Sequence, residues 1–448
     1  MSFAISNVSF KSLAVVLSYN LRLCRKYSYK TVRRPDSAFV SRKLTAPQVE
    51  HMEEKQAPND LTKHLKAKIL ATGPITVAEY MREILTNPLS GYYMNRDVFG
   101  REGDFITSPE ICQIFGELVA VWVVSEWRKL GSPTPFQIVE LGPGRGTLAR
   151  DVLKVLAQFK LSKEFSIHMV EISPYLSKVQ AQRLCFSTET INDENSTHYL
   201  TGKTASGINI YWHKRLEDVP RKFSIVLAHE FFDALPVHKL QRDGKQWKEI
   251  LIDVNKADTT DKNKSLPFRY VISKAPTPVS HLYQPIPEET RDSLEYSLDT
   301  DRLISMMSDR FECEGGIGLI MDYGHFGENC DTFRAFKKHQ LHEPLCAPGT
   351  ADLTADVDFR QIKRIAEENG KVICFGPVEQ GSFLKKMEGD ARLEQLLSNA
   401  LPENHDIIRS GYKMLTDPNQ MGKRFKFFSI FPSVLKEHLE KFPVNGFQ

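Results

Sequence analysis

The chain has 448 residues, of which 41% are hydrophobic and 26% are charged, and its formal net charge at pH 7 is +3. This length and apolar content are enough for one large α/β domain with additions, or for two domains, with a real buried core. Residues 1–35 hold seven Lys or Arg and no acid, and the remainder has 52 basic against 56 acidic residues, which excludes a general nucleic-acid binder.

The acid-free N-terminus, residues 1–27, mixes Arg, Ser and apolar residues and predicts a mitochondrial targeting peptide that is cleaved after Tyr27. Its apolar run, residues 13–17, is too short to span a bilayer, so we expect no transmembrane segment. A secretory signal and a disordered basic tail are the alternatives. Lys11 interrupts the apolar stretch and no small-residue cleavage site follows it, so we expect the mitochondrial matrix.

Residues 28–60 are polar and contain proline, which predicts a linker, and residues 61–134 predict an N-terminal helical segment. Within it, Ser108 as a cap, then Pro109 and Glu110, predict a helix start. The expected buried stripe of that helix is Ile111, Phe115, Leu118, Val119 and Trp122. The seven cysteines are scattered without C-x-x-C pairs or short His spacing, so we expect no metal site.

Short apolar runs alternate with helical patterns from residue 135 onward. They predict strands at 136–141, 166–170, 224–228 and 318–321. This alternation is typical of a doubly wound, mostly parallel Rossmann-like α/β sheet covered on both faces. We therefore expect a core domain at 135–375 with surface insertions near 187–207 and 257–300, and a C-terminal extension, 376–448, packed on the core. The pattern does not predict an oligomeric state.

The sharp turn after the first strand carries three glycines, Gly142, Gly144 and Gly146, with Glu140 two residues before them. Small residues let a ligand approach the backbone, and a helix that we expect Thr147 to cap points its N-terminus into the same space. The third glycine comes one residue too early for a dinucleotide fingerprint. Acid-x-G-x-G-x-G is instead the usual first motif of S-adenosylmethionine (AdoMet) methyltransferases, with Glu140 near the ammonium group.

A second acid, Glu171, ends the next strand and should reach the same sheet edge, where it can accept both ribose hydroxyls. Together the glycine turn and Glu171 predict AdoMet as the cofactor. A nucleotide-dependent oxidoreductase is a rival hypothesis that the glycine spacing disfavours. The other alternative is a tight turn beside two exposed carboxylates with no ligand.

Seven blocks in order resemble a family of mitochondrial arginine methyltransferases that act in complex I assembly, together with bacterial relatives. The blocks, which extend over roughly residues 61–435, are NPLSGYYM, GDFITSPE, VELGPGRGTL, LAHEFFDALPVHK, DYGH, LHEPLCAPGTADLTADVDF and MGKRF. The chain lacks the double-glutamate hairpin and the Thr-His-Trp loop of nuclear arginine methyltransferases. A guanidinium pocket must therefore be built differently here.

The resemblance implies a matrix enzyme of type II, which dimethylates an arginine symmetrically on a core matrix-arm subunit of respiratory complex I. A non-catalytic assembly chaperone that keeps the AdoMet fold is the alternative, because fold alone does not determine function. The resemblance also suggests that Asp104, with Phe105, closes over AdoMet as part of a lid.

An arginine substrate is cationic, so it needs carboxylates that offset its charge and orient it beside the sulfonium. We expect Glu230 and Asp233, just after the strand 224–228, to do this, with Phe231 or Phe232 as a wall for the cation. Asp233 as a turn cap and the phenylalanines as core are the alternatives. We expect His229 to position a partner by hydrogen bonding rather than to accept a proton.

Further acids follow later strands. Asp322 and His325 could line a substrate channel, although strand-end turns often carry Asp for backbone reasons alone. Asp352 and Asp356 could form an acidic rim for a basic substrate. Alternatively, one of Asp352, Asp356 and Asp358 only caps the helix that contains Ile362, and Asp356 is the favoured candidate.

Overall fold

The computed structural model describes residues 60–98, 100, 106–159, 161, 164–255, 266–285 and 289–448. The predicted targeting peptide, and the predicted linker except its last residue, lie outside these residues. The chain divides into two units, and the described part of the smaller one is residues 390–410, which is largely helical. No helix in the described part of the chain has the length and apolar character needed to cross a membrane.

Eighteen strands are present in the described residues. In chain order they are β1 (Ile75–Thr76), β2 (Phe136–Leu141), β3 (Phe165–Val170), β4 (Ser187–Thr190), β5 (Leu200–Lys203), β6 (Asn209–His213), β7 (Ser224–His229), β8 (His238–Asp243), β9 (Gln246–Val254), β10 (Phe268–Ile272), β11 (Ser293–Tyr296), β12 (Gly316–His325), β13 (Arg334–Lys337), β14 (Gln340–His342), β15 (Asp352–Thr354), β16 (Val357–Asp358), β17 (Val372–Glu379) and β18 (Phe425–Pro432).

Fourteen α-helices accompany them in the same residues. They are α1 (Asp60–Thr72), α2 (Val77–Thr86), α3 (Ser108–Ile111), α4 (Gln113–Lys129), α5 (Thr147–Gln158), α6 (Pro174–Leu184), α7 (Pro278–Leu282), α8 (Leu298–Glu314), α9 (Phe359–Glu367), α10 (Gln380–Lys386), α11 (Gly389–Asn399), α12 (His405–Thr416), α13 (Met421–Arg424) and α14 (Lys436–Lys441).

The largest sheet runs in the order β17-β18-β12-β7-β2-β3-β6-β5-β4, with β16 paired to the end of β12. Its five central strands, β12, β7, β2, β3 and β6, are parallel. Every residue of β2 and β7 is buried, as is typical of strands in a parallel sheet that is covered on both faces. The carboxyl ends of the central strands therefore meet at one edge, where the glycine turn follows β2.

Helices cover both faces of this sheet, as the side chains of β18 show. Phe427 and Phe431 contact the rings of Phe115 and Trp122 in α4. The alternate residues Phe428 and Ile430 join a cluster with α8 and α9. Because successive strand residues point to opposite faces, the sheet lies between two helical layers.

Two local predictions were wrong. Residues 187–207 are not simply surface loop, because β4 and β5 add antiparallel strands to the sheet edge. All four residues of β4 are exposed, so this strand carries no apolar pattern. Ser108 does not cap one long helix: Thr107 precedes the four-residue α3, Cys112 breaks the helix with an extended backbone, and α4 begins at Gln113.

A second sheet has the order β1-β9-β8-β11, with β10 paired to β9, and a three-stranded sheet has the order β14-β13-β15. Side chains of α1 and α2 share a hydrophobic cluster with residues of both sheets. Helices α1 and α2 of the N-terminal helical segment therefore pack on the smaller sheets, whereas α4 packs on the large sheet. Residues 425–432 meanwhile lie between β12 and β17, so the C-terminal segment supplies a strand of the large sheet.

Candidate active site

The glycine turn adopts a backbone that requires glycine. Gly142, Gly144 and Gly146 have φ values of 59°, 52° and 72°, in the left-handed region. A Cβ on Gly142 would lie 2.7 Å from Cδ2 of Phe231, so the ring of Phe231 packs directly against this turn. The turn therefore brings the loop after β7 onto the loop after β2.

Thr147 does not cap α5, which corrects the sequence prediction. Gly146 occupies the N-cap position and Thr147 is the first helical residue, without a side-chain capping bond. The Thr147 hydroxyl instead accepts a hydrogen bond of 2.8 Å from Nη1 of Arg183. Thr147 still lines the cleft that opens beside the turn.

This cleft has an empty volume of about 410 Å³. Its walls come from the glycine turn, from α3 and from the end of β7. The lining residues are Thr107, Pro109, Glu110, Glu140, Gly142, Pro143, Gly144, Arg145, Thr147, Leu148, His229 and Glu230. The wall thus joins the predicted cofactor turn to part of the predicted substrate loop.

Glu140 is only 4% exposed at the end of β2. Burial raises its pKa to about 8, although the Ala149 amide donates a hydrogen bond that favours the ionised form. No Lys or Arg of the described residues lies within ion-pair distance of it. A buried carboxyl group without a cation suits the ammonium end of AdoMet.

Two other polar atoms of the cleft wall, Glu110 Oε2 and His229 Nε2, are buried and lack a hydrogen-bond partner among the described residues.

Glu171 follows β3 directly and is not one of the residues that line the cleft. Its Oε1 accepts a hydrogen bond of 2.7 Å from the Ser173 amide, and its Oε2 accepts one of 3.0 Å from Nε2 of Gln180. Burial raises the pKa of Glu171 to about 7, and these hydrogen bonds oppose the rise. Because β2 and β3 are parallel neighbours, Glu140 and Glu171 share one sheet edge.

Arg145, inside the glycine turn, ties α3 to the cleft. Its Nη1 lies 3.3 Å from Oε1 of Glu110, and its Nε lies 3.1 Å from Oδ2 of Asp97. The Ser108 amide in turn donates a 3.4 Å hydrogen bond to Oε1 of Glu230. The short helix α3 thus contacts both the cofactor turn and the loop after β7.

That loop begins at Glu230, whose φ of 48° is in the left-handed region. His229 Nε2 lies 3.1 Å from Glu230 Oε1, but no hydrogen bond forms in this orientation. The His229 ring instead packs edge-on against Phe115, with 5.0 Å between centroids. Phe231 and Phe232 form a T-shaped pair, and Phe232 is 3% exposed and part of the core.

Asp233 is buried with one oxygen engaged and the other unpartnered. Its Oδ2 accepts hydrogen bonds from the Tyr323 hydroxyl and, at 2.8 Å, from Oγ1 of Thr354. Its Oδ1 is buried without a partner among the described residues. Burial, together with the nearby charge of Glu230, raises the pKa of Asp233 to about 6, while the bonds from Tyr323 and Thr354 lower it.

Asp322 is fully buried beneath this loop. Its Oδ2 accepts hydrogen bonds from the amides of Phe231, Phe232 and Asp233 at 3.1, 3.0 and 3.4 Å. Burial and the neighbouring carboxylates raise its pKa well above the usual value. This position favours the alternative for Asp322, in which it holds the backbone of the loop rather than lining a channel.

The other predicted substrate residues have protein partners and are not in the cleft wall. His325 Nδ1 accepts a hydrogen bond from the Gly327 amide, Asp352 accepts one from the Tyr93 hydroxyl, and Asp356 pairs with Arg334 at 2.6 Å. Asp358, not Asp356, caps α9, since its Oδ1 accepts from the amides of Arg360 and Gln361, which corrects that alternative. Asp104 lies outside the described residues.

A family model of S-adenosyl-L-methionine-dependent methyltransferases matches residues 118–378. A mitochondrial protein arginine methyltransferase NDUFAF7 homolog of Drosophila melanogaster is 64% identical over 94% of this chain and 97% of its own length. Human mitochondrial protein arginine methyltransferase NDUFAF7 is 47% identical over 83% of each chain. The chain belongs to this methyltransferase family.

A crystal structure from Burkholderia thailandensis with bound S-adenosylhomocysteine has the same fold. Its TM-score is 0.66 at 21% sequence identity, over 84% of this chain and 92% of that chain. Membership of the family confirms the prediction made from the motifs and confirms AdoMet as the cofactor. The structural match confirms the Rossmann-like α/β methyltransferase fold.

The sequence analysis missed several residues that contact this site. They are Arg145 and Glu110, which tie α3 to the turn; Gln180, which contacts Glu171; and Tyr323 and Thr354, which hold Asp233. Four of them, Glu110, Arg145, Tyr323 and Thr354, lie within the family blocks, which was the available signal for them. Gln180 lies inside α6, where a polar residue on the buried face could have drawn attention.

Proposed function

We propose that this chain is a mitochondrial protein arginine methyltransferase of type II, which dimethylates an arginine symmetrically on a core subunit of respiratory complex I in the matrix. The observation that supports a cationic substrate best is the acidic loop after β7. Glu230, Asp233 and Asp322 lie close enough for their charges to interact. Within the described residues no Lys or Arg lies within ion-pair distance of any of them.

A guanidinium group suits this loop because it carries a positive charge and several N–H donors in one plane. Glu230 lines the cleft, and Asp233 keeps Oδ1 free of protein partners while Tyr323 and Thr354 hold Oδ2. Two carboxylates of this kind can bind two guanidinium nitrogens and orient a third toward the cleft. They also offset the cost of placing one cation beside another.

Bound AdoMet supplies the methyl group as an electrophile. The substrate nitrogen forms the new N–C bond as the S–C bond breaks, and the guanidinium then loses one N–H proton. Asp233, with a pKa of about 6, is ionised at the pH of an alkaline compartment and can accept that proton. Alignment of the two reactants supplies much of the acceleration, of the order of 7 to 11 kcal/mol.

The mitochondrial location and the complex I substrate are proposed from different observations. The relatives of Drosophila and human origin are named as mitochondrial protein arginine methyltransferases. The acid-free residues 1–27 suit import into the matrix. Complex I and symmetric dimethylation rest on the resemblance of the motif blocks.

The test is a methyl-transfer assay with protein lacking residues 1–27, AdoMet and isolated complex I core subunits. Mass spectrometry should locate one dimethylated arginine and distinguish the symmetric from the asymmetric isomer. Glu230→Gln and Asp233→Asn should each retain S-adenosylhomocysteine binding and lose at least roughly 100-fold in turnover, because each removes a charge that binds the guanidinium.

Asp301→Asn is a matched control, since Asp301 also accepts a hydrogen bond from a tyrosine, Tyr296, but on α8. It should keep normal turnover. Normal rates in both site variants would show that the acidic loop does not bind the substrate. Tight binding of a subunit without any methyl transfer would support the non-catalytic chaperone instead.

A further inference from the structure

Gln180 is completely buried in α6, and each polar atom of its side chain has a partner. Its Nε2 donates a 2.7 Å hydrogen bond to the main-chain oxygen of Gly144 and a 3.0 Å hydrogen bond to Oε2 of Glu171. Its Oε1 accepts a 2.8 Å hydrogen bond from Nε1 of Trp212. One amide therefore contacts the glycine turn, the acid after β3 and a side chain of β6.

These partners leave only one orientation for the amide. The indole nitrogen of Trp212 is solely a donor, so the amide atom facing it must be oxygen. The Gly144 carbonyl is solely an acceptor, so the atom facing it must be the NH₂ group. The same NH₂ group supplies a second proton to Glu171, and both donors of the amide are used.

Gln180 also packs closely against the glycine turn. A Cβ on Gly146 would lie 3.5 Å from Cγ of Gln180 and 3.2 Å from Cδ1 of Leu184. Helix α6 therefore packs against the glycine turn where that turn has no side chain. The distance between the turn and Glu171 is fixed by this contact.

We propose that Gln180 is a positioning residue of the cofactor site, which holds the ribose-binding carboxylate Glu171 at a set distance from the turn that receives the amino-acid end of AdoMet. Ser173 donates to one oxygen of Glu171 and Gln180 donates to the other, and each oxygen keeps a lone pair that can accept from a ribose hydroxyl. A neutral amide is needed at this position because it donates to two acceptors and adds no charge beside a buried carboxylate.

The proposal predicts how S-adenosylhomocysteine affinity depends on pH. Glu171 and Glu140 have raised pKa values of about 7 and about 8, so affinity should rise between pH 6 and pH 8.5 as they ionise. Tyr199 also contacts this residue, but its hydroxyl donates to the Glu171 main-chain oxygen and its raised pKa keeps it neutral throughout.

Gln180→Glu tests the inference, because it keeps the shape and replaces a donor with a second acid. Ionised, the new carboxylate repels Glu171 and leaves Gly144 without its donor, so calorimetry should show roughly 10- to 100-fold weaker binding at pH 8. At pH 6 the two carboxyl groups can share a proton, and most of the affinity should return. Affinity should therefore rise less steeply with pH than in the natural protein, because only Glu140 still favours binding as it ionises.

Gln180→Leu provides a second, independent measurement. It removes the hydrogen bond that favours the ionised form of Glu171, so the pKa of Glu171 should rise further. The increase in S-adenosylhomocysteine affinity should then occur at higher pH. Gln137→Glu is the matched control: Gln137 is 1% exposed and donates to Pro220 and Ser224, away from the cleft. It should change the melting temperature but keep the natural pH dependence.

An unchanged pH dependence in both Gln180 variants would overturn the proposal, because a purely structural defect would weaken binding equally at every pH. These measurements use S-adenosylhomocysteine alone. They are therefore independent of whether arginine is the substrate.

Discussion

Gly142 is where the cofactor turn and the acidic loop touch, because the absence of a side chain admits the ring of Phe231. The loop after β7 is therefore positioned by the loop after β2 as well as by its own strand. At the scale of one residue, this van der Waals contact joins the cofactor turn to the acidic loop more directly than any electrostatic interaction does.

We predict that Gly142→Ala will lower S-adenosylhomocysteine affinity and turnover by more than roughly tenfold, since the new methyl group displaces Phe231. Gly244→Ala is the control. Gly244 has a similar φ of 61° but open space around its Cβ position. Both substitutions should cost about 1 kcal/mol of stability from backbone strain, and only Gly142→Ala should affect calorimetric binding.

A second prediction at this scale concerns Tyr323, whose hydroxyl stabilises ionised Asp233. Without it, the pKa of Asp233 should rise further, because burial and the charge of Glu230 remain and only Arg334 and Thr354 oppose them. In Tyr323→Phe the acid limb of the rate profile should therefore move to higher pH. The rate at pH 6 should fall roughly tenfold relative to pH 8.

Tyr296→Phe removes a comparable tyrosine–aspartate bond, between β11 and α8, and should leave the profile of rate against pH in place. A Tyr323→Phe enzyme with the natural acid limb would show that Asp233 is not the group that titrates. Its hydrogen-bonding partners would then serve stability only.

At the scale of the element, α9 depends on a cap that also belongs to an ion pair. Asp358 accepts from the first-turn amides through Oδ1, and its Oδ2 accepts from Nη1 of Arg291 at 3.0 Å. Both side chains of the pair are only 9% exposed. One carboxylate, that of Asp358, therefore both caps this helix and pairs with Arg291.

We predict that Asp358→Ala will reduce the free energy of unfolding by about 2 kcal/mol or more, from the lost cap and from a buried cation with fewer partners. Urea unfolding measures the loss, and hydrogen exchange should show reduced protection of the Arg360 and Gln361 amides. Asp356→Ala, which removes the pairs with Arg334 and Arg424, should leave those amides protected. Equal exchange in both variants would contradict the assigned cap.

The elements that could be predicted from sequence are those whose signal is local. Strands β2, β3 and β7 are rich in apolar residues, and their predicted limits are within one residue of the observed ones. Strand β4 is wholly exposed and has no such pattern. Helix caps were displaced by one or two residues at Thr147 and Asp356, because capping depends on side-chain geometry that spacing alone does not determine.

At the scale of the whole molecule, β18 is the strand that joins distant parts of the chain, since it pairs with β12 on one side and β17 on the other. Its residues Phe427, Phe428, Ile430 and Phe431 are all fully buried. Their burial is worth about 6 to 12 kcal/mol in all. That is comparable with the net stability of a typical domain, about 5 to 15 kcal/mol.

We therefore predict that a chain ending at Asp417 will not fold, which loss of solubility and of cooperative thermal unfolding would show. Replacing the four exposed residues of the outer strand β4 with a Gly/Ser segment is the comparison. It should leave soluble, cooperatively unfolding protein, because β4 is at the sheet edge. A folded truncated chain would mean that β17 can pair with β12 directly.

Over the whole chain, the sequence predicted the class of fold and the cofactor better than it predicted the site. The acids Glu140 and Glu171 follow recognisable strands, so their shared edge could be inferred. The partners of Asp233 could not, because Tyr323 and Thr354 are 90 and 121 residues away along the chain. Contacts of that range depend on sheet order and on register, neither of which has a local pattern.

The late position of β18 has a consequence for biosynthesis. A ribosome makes residues 425–432 only after β13 to β17, so β12 has no neighbour on that side while those strands are being made. A chain that threads through a translocation channel from its N-terminus would thus leave β12 unpaired on that side until residues 425–432 have passed, which favours transport before folding.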